Sequence, residues 1–172
     1  MNAGPEMNTA LQAIPSQDEW AFPWNLSEWF GPAELCRWII EEVETLDWSN
    51  PEVVEFLRTH PSYQPKMWLC LMTYAYATAI YESEEIVRRC YSEETFRLLC
   101  GGRPPENATW IRRFRRENRG LLKWCLIRLF RRAMKTRLEE PFLPAGLKRR
   151  LLDAALMRLN VARQIDSGEL GL

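Results

Sequence analysis

Between Arg103 and Arg137 the chain carries twelve lysines and arginines, opposed there only by Glu106 and Glu117. Such a local excess draws in a polyanion, because each cation that neutralises a phosphate releases condensed counterions. Within this run Arg112, Arg116, Arg119 and Lys123 recur at spacings of four, three and four. On one continuous helix that spacing sets four positive charges in a row, a ridge able to follow a phosphate backbone. Asn107, Thr109, Trp110, Arg112 and Arg113 would form the first turn of the same helix, from which side chains reach base edges in the major groove of double-stranded DNA. Arg115, Arg116, Arg119 and Lys123 are then the expected phosphate contacts, setting orientation and salt dependence more than sequence choice. Arg103 would touch phosphate or flank the preceding turn. Two other uses of these arginines stay open: a solvated helix face, or pairing with acidic residues elsewhere in the chain.

Those acidic residues exist, and they sit at the other end. Residues 1–60 hold two basic and eleven acidic side chains, residues 61–100 four and five, and residues 101–172 seventeen and seven. The three net charges, −9, −1 and +10, therefore cancel over the whole chain.

Other chemistry finds little purchase. Cys36, Cys70, Cys90, Cys100 and Cys125 are an odd set with no CxxC pair, and they read as buried thiols in a reducing compartment. Zinc would need close ligand pairs usually helped by histidine, and the single histidine is His60, so neither metal nor cofactor is expected. His60 has no Ser or Cys partner at motif spacing and reads as a turn residue. Cys90 and Cys100 each close an apolar helical segment, where inert burial is the expectation. Gly101-Gly102 precedes RPP and does not open a phosphate loop. The chain is thus expected not to be an enzyme. The longest apolar run, Met67 to Tyr81, is 15 residues, short of the roughly 18 that a membrane span needs. With no basic segment ahead of an apolar leader, a cytoplasmic location and no membrane partner are expected.

The elements that must carry the basic residues are helical. With 172 residues, 47% of them apolar, a chain of this length buries roughly 70% of its unfolded surface without staples. Residues 1–31, rich in Pro and Trp/Phe, predict an irregular arm, and residues 32–172 an all-α, single multi-helix domain. Pro32 suits a first helical position, and Leu35, Trp38, Ile39, Val43 and Leu46 follow at helical spacing to about Trp48. A short helix from Pro51 ends before His60-Pro61. Met67 to Tyr81, apolar nearly all round, predicts the core's spine. Ser83 and Ser92, each followed by two glutamates, predict two helix caps. Asn107 predicts the cap of a long basic helix reaching about Leu138, with Ile111, Phe114, Leu121, Leu122, Cys125, Leu126, Leu129 and Ala133 as its core stripe. Phe114 reads as core, and Trp110 as either core or contact. A last helix spans about Ala145 to Gln164, followed by a frayed end.

The string HPSYQPKMW from His60, YAYAT at Tyr74–Thr78, Ser83 and Ile86, FRLLCG at Phe96–Gly101, and T-W-I-R-R-F-R-R from Thr109 resembles the N-terminal domain of InsH-like insertion-sequence transposases. The resemblance implies a helical, helix-turn-helix-like DNA-binding module. In that family it precedes a ribonuclease-H-like domain whose three acidic residues hold two metal ions for strand transfer. Here the chain continues into PFLPAGLKRRLLDAALMRL, which is helical, so no acidic triad is carried over, and Asp153 and Asp166 are expected to be solvated charges. Where the family often has a basic residue after the serine, this sequence has Glu84 and Glu85, and Trp110 is inserted into the usual T-I pair. The function expected is DNA binding without strand transfer, as a truncated or domesticated derivative acting as a repressor or a competitor for transposon ends. Its expected partners are double-stranded DNA and a second copy of the chain or a full-length transposase. The alternative is a protein-interaction module or homo-oligomer whose basic helix docks the acidic first third.

Overall fold

The computed structural model describes residues 22–59 and 65–169; most of the expected arm, and the HPSYQ turn with His60, lie outside them. Among the described residues eight α-helices follow one another: α1 (Pro32–Glu44), α2 (Pro51–Thr59), α3 (Pro65–Ala77), α4 (Ser83–Ser92), α5 (Glu94–Leu99), α6 (Ala108–Glu117), α7 (Arg119–Leu138) and α8 (Ala145–Glu169). Among the described residues the extended pairing is a single bridge between Asn25 and Thr78.

Pro32 opens α1, and its buried stripe of Leu35, Cys36, Trp38, Ile39 and Val43 faces α3 and α7. Trp68 to Ala77 of α3 are all buried, so this helix is the spine that the apolar run foretold. It stops four residues before Tyr81 for a local reason. The Thr78 hydroxyl donates to the Tyr74 carbonyl at 2.8 Å, Ile80 N–H donates to Ala75 O at 2.8 Å, and Ala79 takes a left-handed φ of 59°. Around the central α1, α3 and α7, helix α8 packs on α7, α5 on α3, and α4 on both α5 and α6.

Three expectations need correcting. Ser83 and Ser92 do not hold the N-cap positions of α4 and α5. Ser83 is the fully buried first residue of α4, and the hydroxyl of Ser92, the last, donates to Arg88 O at 3.2 Å. Glu82 and Glu93 hold the two cap positions without side-chain bonds. The long basic helix is two helices, because Asn118 leaves helical geometry (φ −115°, ψ 26°) and its amide donates to Phe114 O at 2.9 Å. The core stripe survives the break, with Ile111, Phe114, Leu121, Leu122, Cys125, Leu126, Leu129 and Ala133 all buried. The expected fray after Gln164 is helical through Glu169.

The described end of the arm is held by one buried cation. Arg158 of α8, 2% exposed, donates to Ala154 O at 2.9 Å and to the carbonyls of Pro23 and Trp24 at 2.6 and 3.1 Å. Its guanidinium lies 5.5, 5.0 and 4.7 Å from the ring centres of Phe22, Trp24 and Phe130, which replace part of the solvation that burial removes. Burial still pushes its pKa below the usual arginine value. The five cysteines are free and buried, and desolvation raises the Cys70 and Cys125 thiols to about 12.

Helix α5 ends on Gly101 and Gly102, both left-handed at φ 61° and 70°, whose N–H groups return to Leu98 O and Arg97 O. A Cβ on Gly101 would fall 1.9 Å from the Met67 methyl, whereas one on Gly102 meets nothing within 4 Å. Gly102→Ala should therefore lose about 1–2 kcal/mol from backbone strain alone, and Gly101→Ala more, because Met67 must also move. Urea denaturation of the two variants checks both the loss and its order.

Candidate nucleic-acid interface

Helix α6 begins where expected, with Asn107 Oδ1 accepting the Thr109 N–H at 3.0 Å. Its buried side is set by Ala108, Ile111 and Phe114, the last lying 5.3 Å from the Trp68 ring. Thr109, Arg113 and Arg116 are exposed on the other side, and Arg112 is half-buried between. Arg113 donates to Glu117 at 2.9 Å and lies 6.0 Å over the Trp110 ring, which is itself partly buried against the core. Arg103 is exposed in the turn after Gly102, and Lys123 is half-buried on α7. Residues 100–107 connect α5 to α6, longer than the three or four residues usual in a helix-turn-helix.

Arg112 is positioned by the buried serine. Its Nη1 donates to Ser83 Oγ at 2.9 Å and its Nη2 to Thr109 Oγ1 at 3.4 Å. Arg119, the first residue of α7, donates to Leu159 O at 3.1 Å and to Asn160 Oδ1 at 2.8 Å, both on α8. Arg115 differs from its neighbours. It is 4% exposed, donates to the Tyr81 carbonyl and grips Asp166 through two nitrogens, Nε at 2.8 Å from Oδ2. Asp166 is thus no solvated charge but the partner of a buried arginine, and Arg115 serves the fold before it serves any ligand. Asp153 is exposed.

Arg112, Arg115 and Arg116 of α6, Arg119 of α7 and Arg163 of α8 border one cavity of about 310 Å³. Five guanidiniums there face the single carboxylate of Asp166, beside Tyr76, Leu159 and Ala162. The row expected along one straight helix is therefore gathered around a hollow despite the break at Asn118, and Lys123 is not part of its wall. Ser83, Asn160, Arg163 and Asp166 were missed as site residues. A signal for Asp166 existed: Ala155, Leu159, Ala162 and Asp166 follow spacings of four, three and four, so a charge occupies an apolar register. Arg115 does the same within Ala108, Ile111, Arg115, Asn118 and Leu122.

The basic run divides at this point. Further along α7, Arg128 Nε lies 3.0 Å from Glu42, and Arg132 lies 2.6 Å from Glu41 and 3.5 Å from Glu42, all on α1. Arg132 also stacks 5.2 Å over Trp38, and Arg137 5.0 Å over Trp29. These cations are used inside the fold. Among the described residues no group of three His, Cys, Asp or Glu side chains is placed to hold a metal, and no helix is long and apolar enough to cross a membrane.

An all-helical domain with a cationic hollow beside an arginine-bearing helix is the class that fold and site define. The family model described as Transposase domain (DUF772) matches residues 32–117, half of the chain, and the chain belongs to that family. The match runs from the first residue of α1 to the last of α6, so it takes in the Arg112–Arg116 cluster and stops before α7 and α8. Neither the curated proteins nor the solved structures give a match.

Asp166→Ala should cost about 3–5 kcal/mol, because it strands the buried Arg115 charge. Replacing both partners, Arg115→Met with Asp166→Leu, should recover most of that loss, since two apolar side chains of similar size need no mutual compensation. Thermal or urea unfolding of the single and double variants reads the difference.

Proposed function

We propose that this chain binds duplex DNA through a transposase N-terminal-like domain of the InsH-like kind, without transferring strands itself. The observation that carries the reading is the concentration of Arg112, Arg116 and Arg119 at one place on α6 and α7, next to the exposed Thr109 and Arg113. Thr109, Arg112, Arg113 and Arg116 share one helical face. In this reading α4 to α6 act as a helix-turn-helix-like unit, and Asn107, Thr109, Trp110, Arg112 and Arg113 approach base edges. Arg103, Arg116, Arg119 and Lys123 hold phosphates, and Arg115 positions α6. Strand transfer falls outside the reading because Asp166 is engaged by Arg115 and Asp153 stands on the same helix, so neither offers a carboxylate triad. The role that follows is a repressor or a competitor for transposon ends, in the cytoplasm and on the nucleoid, acting alone or with a second copy or a full-length transposase.

A second reading has its own observation. Arg128 and Arg132 already dock onto Glu41 and Glu42 of α1, so the basic helix meets the acidic first third within one molecule and could do so between copies. Salt separates the two. Duplex affinity should fall with a log-log slope of about −0.9 per phosphate contacted, and Arg116→Ala and Arg119→Ala should each make that slope shallower by about 0.9. Fluorescence anisotropy of a random duplex from low to moderate salt measures it. Absence of binding at low salt, with self-association in sedimentation, would leave the interaction module standing instead.

A further inference from the structure

The hollow bordered by the five arginines imposes a constraint that an exposed helix face does not. Internal phosphates of a duplex recur on each strand about every 3.4 Å of helix axis, joined on both sides, so they meet a concave site at its rim. A phosphate at a strand terminus, or on a free nucleotide, has no chain continuing past it and can enter. Its charge also suits the wall. A phosphomonoester carries about −1.5 to −2 near neutral pH and presents three terminal oxygens, where a diester carries a single charge. Guanidiniums pair with such oxygens through two parallel hydrogen bonds. Arg116 and Arg163, exposed on α6 and α8, reach the hollow from opposite helices, and Arg119 is steered toward it by Leu159 O and Asn160. Leu159, Ala162 and the Tyr76 ring supply an apolar side on which a sugar or base can rest, which a bare inorganic anion would not use. A cavity of about 310 Å³ falls within the size range of small-ligand sites.

We propose that this cavity binds a phosphomonoester carried on a nucleotide, with Arg116, Arg119 and Arg163 as its cationic clamp. The same chemistry occurs on a 5′-phosphorylated DNA terminus and on a free nucleoside monophosphate. The terminus form builds on the duplex-binding reading above, and the free-nucleotide form does not. Arg163 lies on α8, beyond the residues that the family model matches, so the clamp is completed by the part of the chain outside residues 32–117.

The intact chain is titrated with three duplexes of one sequence, bearing 5′-phosphate, bearing 5′-hydroxyl, or closed at both ends by hairpin loops, and separately with AMP. The expected result is at least tenfold tighter binding of the phosphorylated duplex than of the closed one, with the preference lost in Arg163→Gln and in Arg116→Gln. Both substitutions are at exposed positions, and circular dichroism confirms that each variant folds. AMP binding that disappears in the same variants, without a preference among duplexes, supports the cavity and assigns the free nucleotide as its source. Equal binding of all three duplexes with no AMP binding overturns the cavity proposal and leaves duplex recognition intact. AMP binding without any duplex binding does the reverse. A preference that survives both substitutions also overturns it, because the phosphate is then held elsewhere.

Discussion

The site hangs on a buried ion pair between helices far apart in sequence. Arg115 sits on the inward face of α6, where a guanidinium without a partner would be prohibitively costly, and Asp166 of α8 meets it there. Two hydrogen bonds to the carboxylate and one to the Tyr81 carbonyl fix both the distance and the orientation of α6 against α8. Tyr81 can offer that carbonyl because α3 ends at Ala77, so Tyr81 lies beyond the helix. With α8 drawn in, Arg119 finds Leu159 O and Asn160, and Arg163 is brought beside Arg116 around the same hollow. Cationic side chains that repel one another are thereby held together by a pair whose own charges cancel.

The neutral total charge follows a spatial division of labour. The distal arginines of α7, Arg128 and Arg132, meet the glutamates of α1, and Arg132 also stacks on Trp38, so part of the acidic end is consumed in joining α1 to α7. That acidic segment is also core: Leu35, Trp38, Ile39 and Val43 are buried on the same helix that carries Glu41 and Glu42. Helix α1 is therefore a wall of the domain. The proximal arginines, near the junction of α6 and α7, keep their guanidiniums at the hollow.

Much of this architecture was legible in residue patterns. Spacing of three and four placed α1 and the stripe of α7, unbroken apolarity marked α3, and Asn107 marked the start of α6. Misreadings came where a side chain answers to a distant partner. Ser83 ahead of two glutamates has the form of a cap, yet its hydroxyl is taken by Arg112, 29 positions away. Asn118 reads as an ordinary helical residue until its amide is seen returning to Phe114 O and ending the helix there. Asp166 near a chain end reads as solvated, although its register with Ala155, Leu159 and Ala162 placed it on the inward side.

Helix content, the core faces, the polarity of charge along the chain and the transposase-domain family follow from the sequence alone, because each depends on neighbours within a few positions or on an ordered string of motifs. Which arginines are spent inside the molecule and which converge on a hollow is a tertiary outcome. Arg115, Arg116 and Arg119 lie within five positions of one another, yet the first is neutralised by a carboxylate 51 positions away, the second is exposed, and the third is steered by a carbonyl 40 positions away. Coulomb and hydrogen-bond energies depend on separation in space, and that separation does not exist until α8 folds back on α7.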